Sequence, residues 1–436
     1  MRGLIGWMVL VGACAPAEPV DELAPVPQEL QAPAGCSVAK QTDVAGTDVV
    51  EIAALCRLGV VEAPYEVQQD AARRQIKDVL RYAHERALRV SVAGGRTTGG
   101  GHVHHPDGLV LDLAALRGVE VEGTTVRALA GSTFADIDAA SPDHTVAARP
   151  GGGPATVGGW LGALGYGSDP RCGVASCVVE SFRVVQWDGR VVEARRDDPR
   201  GTPGAMLYAN ALGGFGLFGV LVDATLDLEP RVKVSEVRQT LDRADYGTWV
   251  AEDLAGEGAV VRHAARVAMT PEGGLGPGVH TLHLVRDPEG SETLYEPEGA
   301  EGSLQQSYFV PVASVATFLD GLERTRAASG VALRGVVLRY LPAAPGVVLG
   351  YTPEPRVAVQ IGFDPPEDLA RAQAFTTGAV DAALAVGGSY HLGAPRWPSR
   401  EQLVAAYPRF ESFGATKRRA DPFGRFANAF WIEYAQ

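Results

Sequence analysis

The chain has 436 residues, which is enough for two or three domains with sizeable hydrophobic cores. Its 46% hydrophobic and 21% charged residues are typical of an ordinary globular protein. The formal net charge of −13 disfavours a nucleic-acid binder, which would carry a basic surface, and a protein that docks on anionic lipid by charge alone.

The amino terminus has the pattern of a short export signal. Arg2 supplies a positive charge, Leu4–Val11 form an apolar core too short to span a bilayer, and Val11-Gly-Ala-Cys14 is similar to the bacterial lipoprotein signal. We therefore predict a lipoprotein-type signal over residues 1–14 and a lipid anchor on Cys14, on the periplasmic side of a bacterial membrane. An ordinary secretory signal or a buried helix is the alternative. Residues 15–60 are predicted to be a tether, rich in Pro, Ala and Glu, followed by an N-terminal loop.

Export makes disulfides possible, and four cysteines follow Cys14. We expect a Cys36–Cys56 bridge, whereas the spacing leaves a Cys172–Cys177 bridge open. No metal-ligand spacing is visible, so no metal is predicted. Three histidines cluster in a polar loop, where we expect solvated side chains; they are His102, His104 and His105.

Between residues 61 and 230, short helices and strands alternate with glycine-rich loops. Apolar residues from Ile76 to Ala83 recur at helical spacing, which predicts a helix, and Leu88–Val92 follows as a strand. Further strands are predicted at Gly108–Leu113, Val119–Val126, Val178–Trp187, Arg190–Arg195 and Val220–Leu228, and helices at Thr133–Ala140 and Met206–Leu212.

The stretch from Arg149 to Gly173 contains nine glycines and three prolines. Because each glycine loses extra backbone entropy on folding, we expect neither a helix interior nor a strand here. The apolar Val157, Trp160 and Leu161 indicate that the stretch is nevertheless folded. It is either a packed turn in which glycine relieves crowding, or a place where bare main-chain N–H groups approach a ligand.

Five motifs of this region occur in the order and at the spacing of a known family. Residues 61–230 resemble the FAD-binding (PCMH-type) domain of the vanillyl-alcohol oxidase superfamily. The motifs follow a predicted helix and are V-x-V-A-G-G-R-T-T-G-G (90–100), G-L-V-L-D-L-A-A-L (108–116), T-V-G-G-W-L-G-A-L-G-Y-G (156–167), V-V-Q-W-D-G (184–189) and A-L-G-G-F-G-L-F-G-V-L (211–221). The resemblance implies an α+β protein whose two-part FAD domain is followed by an α+β substrate (cap) domain.

The resemblance also implies where FAD is held. The loop Ala93–Thr98 would cradle the diphosphate, with Gly153–Gly159 as a second wall, because glycine loops expose N–H groups without side-chain obstruction. Members with covalent flavin usually carry histidine where this chain has Arg96, which implies non-covalent FAD. Covalent attachment through His102 or His104 is the alternative. Cys172 matches the family's flavin-linking cysteine poorly. The predicted cofactor-binding residues are Ala93, Gly94, Gly95, Arg96, Thr97, Thr98, Pro150, Thr156, Val157, Gly158, Gly159, Gly162, Tyr166, Gly167, Gly173, Val178, Gly213, Gly214, Gly219, Val220 and Asn428.

Residues 231–392 are predicted to form the cap, and residues 393–436 to return to the FAD domain. The order of elements predicts an antiparallel sheet covered by helices. The strands are Val232–Leu241, Gly278–Val285, Ser307–Pro311, Val331–Leu341 and Arg356–Phe363, with Gly388–Gly393 closing the last one, and the helices are Tyr246–Leu254, Val312–Ser329 and Pro366–Val386. Here the chain is most similar to aldonolactone oxidases and decaprenylphosphoryl-ribose oxidases, through segments such as Val337–Pro342, Gly387–Gly393 and Asp421–Asn428.

By resemblance, the protein passes a hydride from an alcohol, sugar or lactone carbon to flavin N5. His391 is the first candidate for a polar substrate or flavin contact, with a hydrogen-bonded strand-end histidine as the alternative. Arg339 would supply a positive charge, since relatives carry a lysine where this chain has Ala394; its alternative is a surface arginine. Tyr166 occupies a position that faces the flavin in relatives.

Two other functions stay open at this point. One is a flavin-binding lipoprotein without turnover, and the other is an amine oxidase similar to cytokinin dehydrogenase. The implied partners are a small-molecule substrate, an electron acceptor that the sequence does not specify, and a membrane through the lipid anchor.

Overall fold

The computed structural model describes residues 32–45, 48–151, 153–255, 258–291, 299–302, 304–364, 366, 368–393, 395 and 397–435. From Ala32 onward the chain forms one compact unit. The predicted signal with Cys14, and Ala394, lie outside the described residues. No helix in the described ranges is both long and apolar enough to cross a bilayer.

The first sheet has four strands and a parallel centre. Leu109–Ala115 lies between Ala54–Gly59 and Val90–Ala93 and runs parallel to both, while Cys36–Ser37 adds an antiparallel edge. The predicted helix spans Tyr65–Glu85 and buries its apolar face in a core shared with this sheet. The edge strand is joined to its neighbour by the Cys36–Cys56 disulfide, which confirms that pairing.

The second sheet has five antiparallel strands. Its central strand, Val220–Asp227, pairs with one hairpin on each side. In spatial order the strands are Val191–Arg195, Val179–Val185, Val220–Asp227, Thr125–Leu129 and Val119–Glu122. The helix Phe134–Ala140 follows the sheet's edge hairpin and begins with a capping box between Thr133 and Asp136.

The glycine-rich stretch contains a short helix, Val157–Gly162, so the expectation that no helix would form here is wrong. The Thr156 hydroxyl caps it by accepting a hydrogen bond from the Gly159 N–H at 3.2 Å. Val157 and Leu161 are fully buried, and a side chain at Gly158 would collide with Ala130. Tertiary packing and the need for close approach therefore override the poor helix propensity of glycine. Cys172–Cys177, which the spacing left open, is a disulfide that joins the following loop to the helix Ala175–Val178.

The third sheet has seven strands, all antiparallel, and the predicted α+β layer is present. Two long helices, Val315–Ser329 and Leu369–Ala385, pack against each other and bury apolar faces in its core. The strand Val260–Met269 was not predicted, because the buried Arg262 and His263 interrupt its apolar pattern. In spatial order the strands are Val234–Asp242, Leu275–Arg286, Val260–Met269, Leu333–Leu341, Arg356–Phe363, Leu304–Pro311 and Ser389–Tyr390.

The C-terminal segment contacts the first sheet. Val90 accepts a hydrogen bond from the Ala427 N–H and donates one to the Arg425 carbonyl, at 3.0 and 2.8 Å. The helices here are Arg400–Ala406, Phe410–Ala420 and Ala429–Tyr434. The remaining elements are the helices Ala175–Val178, Pro203–Ala211 and Tyr246–Trp249, the π-helix Val250–Leu254, the 3-10 turn Val312–Ser314, and the strand pairs His144–Thr145 with Glu229–Pro230 and Gln41–Ala45 with Asp48–Ile52.

Candidate active site

A cavity of about 550 Å³ lies where the glycine-rich loops meet the seven-stranded sheet. Its size is in the range of about 300–1,000 Å³ that is usual for cofactor and ligand sites. One end is lined by the loop 93–98 and by residues from 149–151 and 155–167, and the other by side chains of the seven-stranded sheet and by His391. The cavity therefore joins the two halves of the chain that the sequence assigned to cofactor and substrate.

Most of the residues predicted for the site line this cavity. They are Ala93, Gly94, Gly95, Arg96, Thr97, Thr98, Pro150, Thr156, Gly158, Gly159, Gly162, Tyr166, Gly167, Gly219, Arg339 and His391. Seven others do not: Val157, Gly173, Val178, Gly213, Gly214, Val220 and Asn428. Val157 is core, and Asn428 caps the last helix while donating to the Phe215 carbonyl at 3.1 Å.

The loop 93–98 lies so close to the second wall of the cavity that no side chain fits at Gly94 or Gly95. A Cβ at Gly94 would collide with the Thr156 hydroxyl, and a Cβ at Gly95 with the Pro154 carbonyl. Among the described residues, the N–H groups of Gly95, Arg96 and Thr97 donate no hydrogen bond to another main-chain group. These N–H groups are therefore available to an anionic ligand.

The N-terminus of the helix Val157–Gly162 is occupied by internal hydrogen bonds. The N–H groups of Val157 and Gly158 donate to the carbonyls of Ser132 and Ala130, both at 2.8 Å, and the Gly159 N–H is used by the Thr156 cap. At the other end of the helix, a Cβ at Gly162 would meet no atom within 4 Å. The second wall can therefore contact a ligand and leaves open space for it, but the start of this helix provides no N–H donors.

Arg96 is held by two carboxylates at the edge of the cofactor loop. Its guanidinium donates to Asp43 at 2.6 Å and to Asp112 at 3.1 Å. Burial opposes its charge, but the hydrogen bond and charge of Asp43 and the charge of Asp112 raise the pKa of Arg96 above the usual value. The residue is a fixed cation that borders the cavity.

The loop that carries the histidine cluster is packed, so the expectation of solvated histidines is wrong for His102 and His104, which are buried. The C-terminal helix covers this loop: the Ala429 N–H donates to the His104 carbonyl at 2.7 Å. The His102 ring stacks on Phe215 with centroids 3.8 Å apart and lines the cavity.

The polar end of the cavity is built on the seven-stranded sheet. The hydroxyls of Tyr166 and Ser307 are 2.6 Å apart. Burial raises the pKa of Tyr166, although the charge of Arg339 and the Ser307 hydrogen bond act in the opposite direction, so this phenol is protonated at neutral pH. Arg339 donates to the Gln360 carboxamide oxygen at 3.1 Å, and Gln360 donates in turn to Gln305 at 3.1 Å. Arg339 is buried, so the alternative of a surface arginine is wrong.

His391 is fixed by the main chain at both ring nitrogens. Nε2 lies 3.0 Å from the Ala163 carbonyl, and Nδ1 accepts a hydrogen bond from the Gly393 N–H at 3.2 Å. Burial lowers the pKa of His391 to about 4, against the opposing effect of the Ala163 hydrogen bond. The ring is therefore neutral at pH 7, and its contacts are those of the hydrogen-bonded strand-end histidine.

Comparison with known proteins indicates what the glycine-rich part of the cavity binds. Residues 71–195 match the FAD binding domain family. The chain is 26% identical to an alditol oxidase of a Streptomyces species over 367 residues, which are 74% of the chain and 85% of the relative. It is 27% identical over 175 residues to a D-lactate dehydrogenase of Archaeoglobus fulgidus, covering 39% of the chain and 40% of that protein. The matched segment is therefore an FAD binding domain, and these similarities are consistent with the vanillyl-alcohol oxidase superfamily.

A third similarity is confined to part of the FAD-binding half. The chain is 27% identical to a UDP-N-acetylenolpyruvoylglucosamine reductase of Limosilactobacillus fermentum over 128 residues, which are 28% of the chain and 41% of the relative. The matched segments thus span about two fifths of the lactate dehydrogenase and of the reductase, and most of the alditol oxidase.

The cavity fits the cofactor of this superfamily. In the described part of the chain no main-chain group accepts a hydrogen bond from the N–H groups of residues 95–97, so these groups can bind diphosphate oxygens. The open space next to Gly162 would be filled by any larger side chain. Apolar walls for a flat ring system come from residues such as Val92, Leu113 and Phe215.

Several lining residues could not be predicted from the sequence. Gln305 and Ser307 lie in the polar run Gln305–Ser307 of one strand and Gln360 is a polar residue on the neighbouring strand, and no motif marks them. Ser307 is the first residue of a strand that the sequence did predict, so its position was available but its role was not. Arg149 also lines the cavity, where Asp138 holds its guanidinium with two hydrogen bonds of 2.7 Å.

Proposed function

We propose that the protein is an FAD-dependent enzyme that oxidises a CH–OH group of an alcohol, sugar or lactone. The observation that carries this proposal is the single cavity in which the glycine-lined loop and a polar wall face the same space. The similarity to an alditol oxidase over most of that relative's length supports the same reaction class.

FAD, when bound, supplies the hydride acceptor. In our proposal the hydroxyl pair of Tyr166 and Ser307 holds the substrate oxygen, and Arg339 provides positive charge that favours loss of the hydroxyl proton. His391 positions the main chain around the cavity and does not accept the proton, because both of its ring nitrogens are hydrogen-bonded to main-chain groups. Since Tyr166 stays protonated and His391 stays neutral and engaged, the proton passes to solvent rather than to either side chain.

Anaerobic reduction of the bound flavin tests the proposal. Polyols, aldonolactones and 2-hydroxy acids are mixed with the purified holoprotein, and loss of the visible flavin absorbance is followed; bleaching by at least one of them is expected. Arg339→Met should slow the bleaching about 100-fold or more, as for loss of one preorganised charged donor. Arg334→Met is the matched control, because Arg334 lies on the same strand but is exposed and pairs with Asp364.

Two observations favour flavin binding without turnover as a second candidate. His391 is not free to accept a proton, and the lysine of relatives is replaced by Ala394, which lies outside the described residues. A stable flavin spectrum that no substrate of the panel bleaches would support this candidate. Bleaching by amines alone would instead support the amine oxidase similar to cytokinin dehydrogenase.

We propose that FAD is held non-covalently. Arg96 stands where covalent members of the superfamily carry histidine, and Cys172 is engaged in a disulfide, which supports the proposal. Acid precipitation should therefore release all of the flavin as intact FAD. Flavin that stays with the precipitate would point to attachment, for example through His102.

We also propose that the protein is exported and anchored through lipid on Cys14. The two disulfides support an oxidising compartment, since such bridges are rare in reducing ones. In a bacterial host, the full chain should partition into the detergent phase after membrane extraction, and Cys14→Ser should move it to the aqueous phase. Equal partitioning of the two proteins would contradict the anchor.

A further inference from the structure

Arg96 adopts a backbone conformation that its side chain does not favour. Its φ is 55°, in the left-handed region where residues other than glycine are uncommon. Such a conformation persists when the surroundings hold it in place, and it is concentrated at ligand sites. Because Arg96 lies in the middle of the loop 94–98, whatever holds its side chain also holds the N–H groups of that loop.

Two carboxylates hold the guanidinium, and they come from different parts of the chain. Asp112 belongs to the central strand Leu109–Ala115 of the first sheet, whereas Asp43 belongs to the strand Gln41–Ala45. The side chains of Asp43 and Asp112 are 13% exposed and that of Arg96 is 20% exposed. We call these three residues the Arg96 clamp.

The strand that carries Asp43 lies outside the segment that matches the FAD binding domain family. The match to the FAD binding domain family begins at residue 71, and Gln41–Ala45 pairs with Asp48–Ile52 ahead of it. The Asp43 oxygen that accepts from Arg96, Oδ2, also lies 3.3 Å from Nε2 of the fully buried His104. This strand pair thus reaches the cofactor loop through one mostly buried carboxylate.

We propose that the N-terminal strand Gln41–Ala45 contributes to the FAD site through Asp43, a positioning residue that holds Arg96 and its loop in the FAD-binding conformation. The inference rests on the proposed binding of FAD in this cavity. The Nη1 and Nη2 bonds to the carboxylates leave further guanidinium donors, and a guanidinium fixed before binding loses less entropy when it meets a phosphate.

A purely structural role for Asp43 makes a different prediction. If Asp43 only stabilised the strand pair, its loss would lower the stability of the protein without depending on Arg96. If it acts through Arg96, its effect on FAD affinity should vanish once the arginine is gone. Arg96→Gly supplies that background, because glycine adopts a φ of 55° without strain.

The test is a double-mutant cycle on FAD affinity. Full-length apoprotein is titrated with FAD, and flavin fluorescence quenching gives the Kd of wild type, Asp43→Asn, Arg96→Gly and the double variant. We expect Asp43→Asn to weaken FAD about 10- to 100-fold in the wild-type background, as for loss of a hydrogen bond to a charged group, and less than about twofold in the Arg96→Gly background. Asp112→Asn is measured in the same way with and without Arg96→Gly, so that the test can still be made if one of the two aspartate variants does not fold.

Glu51→Gln is the matched control. Glu51 lies on the partner strand of the same pair, but its exposed side chain forms an ion pair of 3.0 Å with the surface Lys40, so FAD affinity should not change. An unchanged Kd for Asp43→Asn, or an equal loss in both backgrounds, would overturn the inference. Wild-type apoprotein that takes up no FAD would instead refute the proposed function itself.

Discussion

Gly162 offers a perturbation whose effects on stability and on cofactor binding have opposite signs. It is the last residue of the helix Val157–Gly162, it lines the cavity, and a Cβ there would meet no atom within 4 Å. In the apoprotein, Gly162→Ala should raise the free energy of unfolding by up to about 1 kcal/mol, because alanine loses less backbone entropy in a helix.

With FAD in the cavity, the same methyl group occupies space that the ligand needs. Overpacking of this kind costs about 1–3 kcal/mol, which corresponds to an FAD affinity weakened roughly 5- to 150-fold. Gly162→Leu, which fills more of the cavity, should abolish binding while the protein stays folded. Gly258→Ala is the control, since it also meets no atom within 4 Å and lies away from the cavity lining.

The assay combines thermal unfolding of the apoprotein with FAD titration by fluorescence quenching. Wild-type affinity in both Gly162→Ala and Gly162→Leu would refute the reasoning, because the open space above Gly162 would then not be where the cofactor lies. A loss of stability in the apoprotein would show that the space is filled by protein atoms.

Further outcomes follow from burial and charge. Burial lowers the pKa of His283 and of His391 to about 4, against about 6.5 in the unfolded chain. The free energy of unfolding should therefore be highest above pH 6.5 and fall by up to about 3 kcal/mol for each histidine as the pH drops towards 4. Denaturant unfolding from pH 7 to 4.5 measures this, and a free energy that does not change with pH would contradict it. Asp169→Asn removes the carboxylate that lies 3.1 Å from the buried Arg262 and should cost about 3–5 kcal/mol in urea unfolding, whereas a change below about 1 kcal/mol would argue against a buried ion pair. Tyr166→Phe should slow substrate bleaching of the flavin while leaving FAD affinity within about twofold, and unchanged bleaching would remove this hydroxyl from the substrate site.

The order of short motifs made the FAD-binding half predictable. Gly95 and Gly167 are required because a second stretch of backbone approaches them closely, and that constraint leaves a pattern in the sequence. Long amphipathic elements were predicted well for a similar reason: Tyr65–Glu85 and Val315–Ser329 carry apolar residues at helical spacing.

The rest depends on contacts between distant residues. The helix Val157–Gly162 forms because packing compensates for its glycines, and the strand Val260–Met269 was hidden by the buried Arg262 and His263. The pairing of Asp43 with Arg96 joins residues 53 positions apart, and no periodicity records such a pair.

The contacts of His391 could not be predicted from the sequence either. The sequence could mark this histidine as a candidate for the site, but only the structure shows that its two ring nitrogens bind the Ala163 carbonyl and the Gly393 N–H. Which polar groups face the substrate is therefore decided by tertiary packing rather than by motifs.

The central claim is that this cavity holds FAD, and the most direct test is the flavin content of the folded protein. The full chain, purified or reconstituted with FAD, should show a flavin spectrum with one FAD per chain, all of it released by acid. Correctly folded protein that stays colourless after incubation with FAD would contradict the account.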